Sequence, residues 1–320
     1  MKTKICHIFA MTALVAAAHA EKDEYADKGE KGQNKDGKGL SFVVLGDWGW
    51  NGRANQREIA ARIDTMAKKL NPEFFVSVGD NFQVNGVRST QDPLWRLSYE
   101  DIYDAPIFEK DWYGVLGNHD SHGNTQAEID YTKISRRWNM PSHYYAIHKF
   151  AGKSNSVDLF FLDTPPLQRK YYDEPSEYPD ILAQDTAAQL RWLDSSLTAS
   201  KATWKLVFGH HPVYSGGKHA PDLVDQPARF ATRFEKGGVT AYFAGHDHHL
   251  EHIRQSGSKV NYFIAGAHEI RPVKPTPATL FAKSVPGFLS VKVRNDSLIV
   301  SSIDVEGNVV DRAAIAPNKR

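Results

Sequence analysis

Five times along this 320-residue chain, a strand-length apolar run ends in glycine followed by Asp, Asn or His. Residues 41–45 lead into Gly46-Asp47-Trp48-Gly49, 73–78 into Gly79-Asp80, and 112–116 into Gly117-Asn118-His119-Asp120. Residues 204–208 lead into Gly209-His210-His211, and 240–244 into Gly245-His246-Asp247-His248. Near-continuous apolar strands predict sheets covered on both faces. In open α/β sheets, ligands bind beyond the carboxyl ends of the strands, where all five motifs stand. Asp, Asn and His suit divalent or trivalent first-row metals. One Gly-Asp alone is an ordinary turn; five in series predict a single rim of ligating side chains.

Helical spacing fills the gaps and makes the class α/β. Ile59, Ile63, Met66 and Leu70 share a face and predict a helix over 54–70, stopped by Pro72. Thr125 with Glu128, and Thr186 with Gln189, have capping-box spacing, the second ahead of a Leu190, Leu193, Leu197 stripe. Residues 288–293, 297–305 and a short run after Glu306-Gly307-Asn308 predict antiparallel strands. The expected arrangement is two mixed sheets face to face with helices outside.

The N-terminus reads as a separate object. Lys2 and Lys4 precede an apolar run over 5–17, and Ala18-His19-Ala20 fits a small-x-small cleavage site. The run is short for a membrane span. The expectation is a signal peptide over 1–20, a flexible charged leader over 21–39, and a folded domain over 40–315. The protein is then secreted or periplasmic and has no stable membrane anchor. The one cysteine, Cys6, falls in the signal, so the exported chain has no disulfide and depends on its core and on metal. A net charge of +1 gives no basic field for nucleic acid. The partner expected is a small-molecule substrate, and the chain is expected to be a monomer.

The motifs carry more ligand-type side chains than one ordinary zinc site takes, and suit two metals bridged by a carboxylate. At this point the chain resembles a family. The motif order is similar to that of the calcineurin-like metallophosphoesterases. Gly46-Asp47-Trp48-Gly49, the stretches 117–124 and 131–139, Leu162-Asp163-Thr164, 209–213 and 245–250 resemble the small tartrate-resistant (purple) acid phosphatases. The resemblance implies a four-layer α/β/β/α sandwich. It implies Asp47 and His248 on one metal, Asp80 bridging, and Asn118, His210 and His246 on the second. His119 would contact the substrate phosphate or protonate the leaving oxygen, Asp120 would orient His119, and His219 would be a second substrate-facing histidine. The implied activity is acid phosphatase: hydrolysis of phosphate monoesters by hydroxide held on two ions (Fe, Zn or Mn). A phosphodiesterase, or a non-catalytic metal- or phosphate-binding protein, are the alternatives.

The chain departs from the family at Gln83, where the relatives carry the metal-binding tyrosine. With one anionic ligand fewer, a divalent pair is favoured over ferric iron, the site is expected to be colourless, and Gln83 is at most a weak ligand. The cysteines that link loops in the animal relatives are absent. Segment 165–185 is read as a solvated acidic loop, with restraint of activity, as in the small acid phosphatases, as the other reading. Trp48 and Trp50 are expected at the cleft rim. His211 and His249 are left out of the metal shell because neighbouring side chains on an extended segment diverge. His122, His143, His148, His252 and His268 are read as hydrogen-bonded surface or loop histidines.

Overall fold

A computed structural model describes residues 39–318, apart from 154 and 267. The expected signal peptide, Cys6 and the leader up to residue 38 lie outside the described residues. The chain lays down β1 (Leu40–Leu45), β2 (Phe74–Ser77), β3 (Asp111–Gly114) and β4 (Trp138–Asn139) in one sheet. It then builds a second sheet from β5 (Tyr145–Ala151), β6 (Asn155–Phe161), β7 (Trp204–Phe208), β8 (Ala241–Ala244), β9 (Leu250–Ile253), β10 (Asn261–Ala265) and β11 (Thr279–Lys283). Finally it returns to the first sheet with β12 (Gly287–Val293), β13 (Leu298–Asp304) and β14 (Val309–Ile315).

The first sheet runs β14-β13-β12-β1-β2-β3-β4, parallel from β1 to β4 and antiparallel beyond β1. The second runs β11-β9-β10-β8-β7-β6-β5, with a parallel centre of β6, β7, β8 and β10 and antiparallel strands at both margins. Both sheets are mixed. Alternation along each strand builds the layers. Phe42 of β1 meets Phe208 of β7 at 6.1 Å between ring centroids, and Tyr113 of β3 meets Phe161 of β6 at 6.0 Å. Those contacts join the two sheets face to face. On the outer face of the first sheet, Phe75 stacks on Trp112 within a cluster that includes Trp48, Trp95, Tyr99 and Trp138. On the outer face of the second, Val207 and Tyr242 pack with Leu193 and Leu197 of α4 (Thr186–Ala199) and with Phe230 and Phe234 of α5 (Gln226–Gly237). The result is the four-layer α/β/β/α sandwich.

Several local expectations change. The helix expected over 54–70 is two: α1 (Gln56–Thr65) and α2 (Ala67–Leu70), separated at Met66, whose ψ of 5° leaves the helical region. The N-cap of α3 (Thr125–Tyr131) is Asn124, which accepts from Ala127 N–H; that of α4 is Asp185, which accepts from Ala188 N–H. Glu128 and Gln189 do not close capping boxes; both are buried and bond elsewhere. Trp48 is not at the rim but fully buried, its indole N–H donating to Ser77 Oγ. Segment 165–185 is not simply a solvated loop, since it folds into short 3₁₀ turns and buries Tyr171 and Ile181. His252 and His268 are buried as well.

Candidate metal centre

Each predicted ligand stands within a few residues after a parallel strand: Asp47 after β1, Asp80 after β2, Asn118 after β3, His210 after β7, His246 and His248 after β8. The chain must turn sharply there to aim side chains back over the strand ends. Asp47, Asp80 and His246 do so in the left-handed region, at φ of 57°, 51° and 66°. Such backbone costs of order 1–3 kcal/mol and persists where the surroundings over-determine it. The flanking glycines are required by close approach. A Cβ on Gly117 would come 2.1 Å from Asp80 Oδ1, and one on Gly245 would come 2.5 Å from Asp47 Oδ2. This explains why the motifs read Gly-Asn and Gly-His.

The side chains converge as two linked sets. His210 Nε2 lies 3.3 Å from Asp80 Oδ1, 3.1 Å from Asn118 Oδ1 and 3.2 Å from His246 Nδ1. His248 Nε2 lies 3.3 Å from Asp47 Oδ1. One ligating atom each from Asp47, Asp80 and His210 falls within 4.8 Å of the others, which joins the sets. The outer nitrogen of His210 fixes its tautomer. His210 Nδ1–H donates to Val78 O at 2.9 Å, which leaves Nε2 with its lone pair directed inward. His248 Nδ1 lies 3.2 Å from Glu269 Oε2, a charge contact outside hydrogen-bond geometry. Lone pairs of His210, His246 and Asn118 facing one another at such distances repel unless a cation or proton lies among them. The donor set therefore fits two metal ions: Asp47 and His248 for one, Asn118, His210 and His246 for the other, and Asp80 between.

In the absence of ions, the electrostatics place a proton among these donors. Burial opposes ionisation of Asp80, but His210 and His119 outweigh it and hold its carboxyl well below the usual range. Burial likewise opposes charge on His210, and Asp80 overrides it, raising His210 to about 9. Burial, reinforced by the neighbouring histidines, holds His246 far below the ordinary imidazole value, as a neutral ligand requires.

Asp120 does not orient His119. Its carboxylate accepts from the N–H groups of Gly117, Asn81 and Phe82 at 2.8, 3.1 and 3.0 Å, so it braces the two loops that carry Asp80 and Asn118. His119 Nδ1 instead meets Val84 O at 2.6 Å, leaving Nε2 4.0 Å from Asp80 Oδ2. His219 sits 4.5 Å from the His246 ring, and its Nε2 accepts from Arg271 at 2.8 Å. Its backbone N–H donates to Asp247. Burial first, and Arg271 with it, lowers the His219 pKa. Gln83 Nε2 lies 3.3 Å from Asp80 Oδ2.

Sequence reasoning missed two neighbours. Glu269 and Arg271 come from an irregular segment with no periodicity to read. His211, set aside on the alternation argument, turns its ring to within 5.0 Å of His210 and 4.4 Å of His246. Its Nε2 meets the Tyr171 hydroxyl at 2.8 Å. His249, by contrast, pairs with buried Glu251 at 2.8 Å.

The calcineurin-like phosphoesterase family matches residues 40–250 of the chain. Purple acid phosphatase 7 of Arabidopsis thaliana is 34% identical, over 87% of this chain and 86% of its own length. Human tartrate-resistant acid phosphatase type 5 is 34% identical, over 84% of this chain and 88% of its own length. Among solved structures, GAP50, the anchor in the inner membrane complex of Plasmodium, shares the fold with a TM-score of 0.76 at 24% identity, covering 88% of this chain and 90% of that one. The chain belongs to the calcineurin-like phosphoesterase family, and within it is related to the purple and tartrate-resistant acid phosphatases.

Proposed function

We propose that the chain is a phosphate monoester hydrolase of acid phosphatase type that works with a pair of divalent ions. The observation that carries this reading is the convergence of donors from both sheets, with the His210 ring nitrogen directed inward by Val78 O. When bound, the ions supply Lewis-acid activation of water and of the phosphoryl oxygens. The chain's own residues do the rest. Asp80, ionised and central, fixes the spacing of the two ligand sets. His119 donates Nδ1–H to Val84 O and keeps Nε2 on the Asp80 side. As an imidazolium it can pass the Nε2 proton to the departing alkoxide, a step typically worth about 10²–10⁴-fold.

The fold alone does not decide turnover, because GAP50 shares it and is named an anchor. The six ligand-type residues together with His119 favour catalysis over a purely structural or binding role. Monoesters are favoured over diesters on the resemblance to acid phosphatases. Metal analysis with a phosphoester panel across pH tests the reading. p-Nitrophenyl phosphate is expected to turn over faster than its bis-ester. Asp80→Asn is expected to lose metal and activity together. His119→Ala is expected to slow alkyl phosphates by about 10²–10⁴-fold and the p-nitrophenyl ester by less, since that leaving group needs no proton. Equal losses on both would remove His119 as the proton donor. Export belongs to the same reading and rests on residues 1–20; N-terminal sequencing of exported protein, expected to begin at Glu21, checks it.

A further inference from the structure

The proposed chemistry leaves Tyr171 unused, although its hydroxyl borders the metal centre. Tyr171 is carried by the 3₁₀ turn Arg169–Asp173 and is buried. Its oxygen lies 2.8 Å from His211 Nε2, and His211 Nδ1 lies 2.9 Å from Thr164 Oγ1. The direction of each bond follows from Thr164. That hydroxyl already accepts from the N–H groups of His210 and His211, at 3.2 and 3.0 Å. A hydroxyl has two acceptor lone pairs and one proton. With both lone pairs engaged, Thr164 donates its proton to His211 Nδ1. The neutral His211 ring then carries its proton on Nε2 and donates it to the Tyr171 oxygen. The phenol proton of Tyr171 is left over, and among the described residues no acceptor takes it.

The Tyr171–His211 pair lies beside two of the ligand-type histidines. His210, His211 and His246 each bring a ring nitrogen within 4.8 Å of the others, so the Tyr171–His211 bond lies against the second ligand set. The segment bearing Tyr171 is tied down around it. Tyr178 packs on Tyr171 at 4.5 Å and on His122 at 4.3 Å. Asp180 Oδ2 accepts from the Thr125 N–H and hydroxyl at 3.0 and 2.8 Å, and Lys170 pairs with Asp222 at 3.0 Å.

We propose that Tyr171 is a phosphate-contacting residue, its hydroxyl held by His211, itself held by Thr164, so that it donates to a phosphoryl oxygen bound beside His210 and His246. The proposal rests on the phosphoester reading of the site. It assigns segment 165–185 a part in substrate binding, and His211 the part of a positioning residue.

The test is calorimetric titration of the metal-loaded chain with inorganic phosphate, with metal content and p-nitrophenyl phosphate turnover measured in parallel. Tyr171→Phe is expected to keep its metal and melting temperature and to bind phosphate roughly fivefold to tenfold more weakly, the effect of one lost hydrogen bond. Thr164→Val is expected to weaken phosphate by a few-fold alone and to add nothing in the Tyr171→Phe background, because both act through one donor. Unchanged phosphate affinity in Tyr171→Phe overturns the proposal. So does loss of metal, or loss of a tyrosinate–iron band from the ferric-loaded chain, since the oxygen would then be a ligand. The two readings fail separately. Tyr171-dependent phosphate binding without turnover removes the phosphatase and keeps the contact. Turnover with Tyr171-independent binding does the reverse. A chain that takes up metal but no phosphate removes both.

Discussion

Gln83 places a neutral amide where relatives supply an anion, and its surroundings show what that amide is free to do. The side chain is 5% exposed, its Nε2 engages Asp80, and its Oε1 is buried with no hydrogen-bond partner among the described residues. Leaving a buried acceptor unpaired costs about 1–3 kcal/mol, and a nearby cation relieves that cost. Gln83 therefore offers a metal one neutral oxygen and no charge. In the proposed ligand set, Asp47 and Asp80 are the anionic members, which would favour two divalent ions over a ferric one. The ferric-loaded wild-type chain is expected to lack a tyrosinate charge-transfer band, and Gln83→Tyr is expected to gain one and retain more iron. Visible absorption with metal analysis checks both. A band in the wild type that survives Tyr171→Phe would require another tyrosine at the metal and would refute the reading of Gln83.

At the scale of elements, the loops after β2 and β3 are joined to α3 by a buried acidic group. Asn81 Nδ2 donates to Glu128 Oε2 at 2.9 Å, and Asp120 gathers three backbone N–H groups beside it. Burial, then the charge of Asp80, raises Asp120 to about 6. Burial, then the charge of Asp120, raises Glu128 well above the usual carboxyl range. A folded pKa raised above its unfolded value gives stability that is complete below the unfolded pKa and lost as pH rises through the folded one. The chelator-treated protein is thus expected to lose melting temperature as pH rises from about 4 through about 6, and further as Glu128 ionises. Glu128→Gln, which removes one of the charges that must appear, is expected to lose less over the same interval. Parallel losses in the two proteins would deny Glu128 that part.

These elements also mark the limit of what the sequence made legible. The five apolar runs became strands nearly as expected, and their motifs became one centre, because two-sided burial leaves an unmistakable apolar run. Periodicity reports a buried face and not backbone continuity, so the break at Met66 was invisible. Capping-box spacing at Thr125 and Thr186 was met, yet tertiary partners, Asn81 and Asp163, drew Glu128 and Gln189 inward, and the caps shifted one residue earlier. Alternation placed His211 away from His210, but the chain leaves β7 at Phe208 and the two rings converge beyond it. Glu269 and Arg271 carried no signal because irregular segments have no pattern.

For the whole molecule, the proposed metal centre draws its residues from both sheets. Asp47, Asp80 and Asn118 follow strands of the first sheet; His210, His246 and His248 follow strands of the second. The chain has one cysteine, Cys6, so no disulfide can tie residues 39–318 together. On that proposal, ions held between the sheets bind the folded state and not the unfolded one. At a free concentration of a hundred times its Kd, one ion adds about 2.7 kcal/mol to stability. For a domain of this size each kcal/mol moves the melting temperature by about 2–4 °C. Chelation is therefore expected to lower the melting temperature by roughly 5–10 °C per ion removed, and readdition to restore it. Asp80→Asn is expected to melt at one temperature with or without chelator. Leu193→Ala, which opens a cavity between α4 and the outer face of the second sheet, is expected to lose about 2–5 kcal/mol. It should keep the full difference between loaded and chelated protein, because its packing is remote from the ligands and distant effects add. Scanning calorimetry of the three proteins with and without chelator separates the cases. A wild-type melt that ignores chelator, while metal analysis shows the ions gone, would mean that the centre serves chemistry alone and that the packed faces hold the sandwich by themselves.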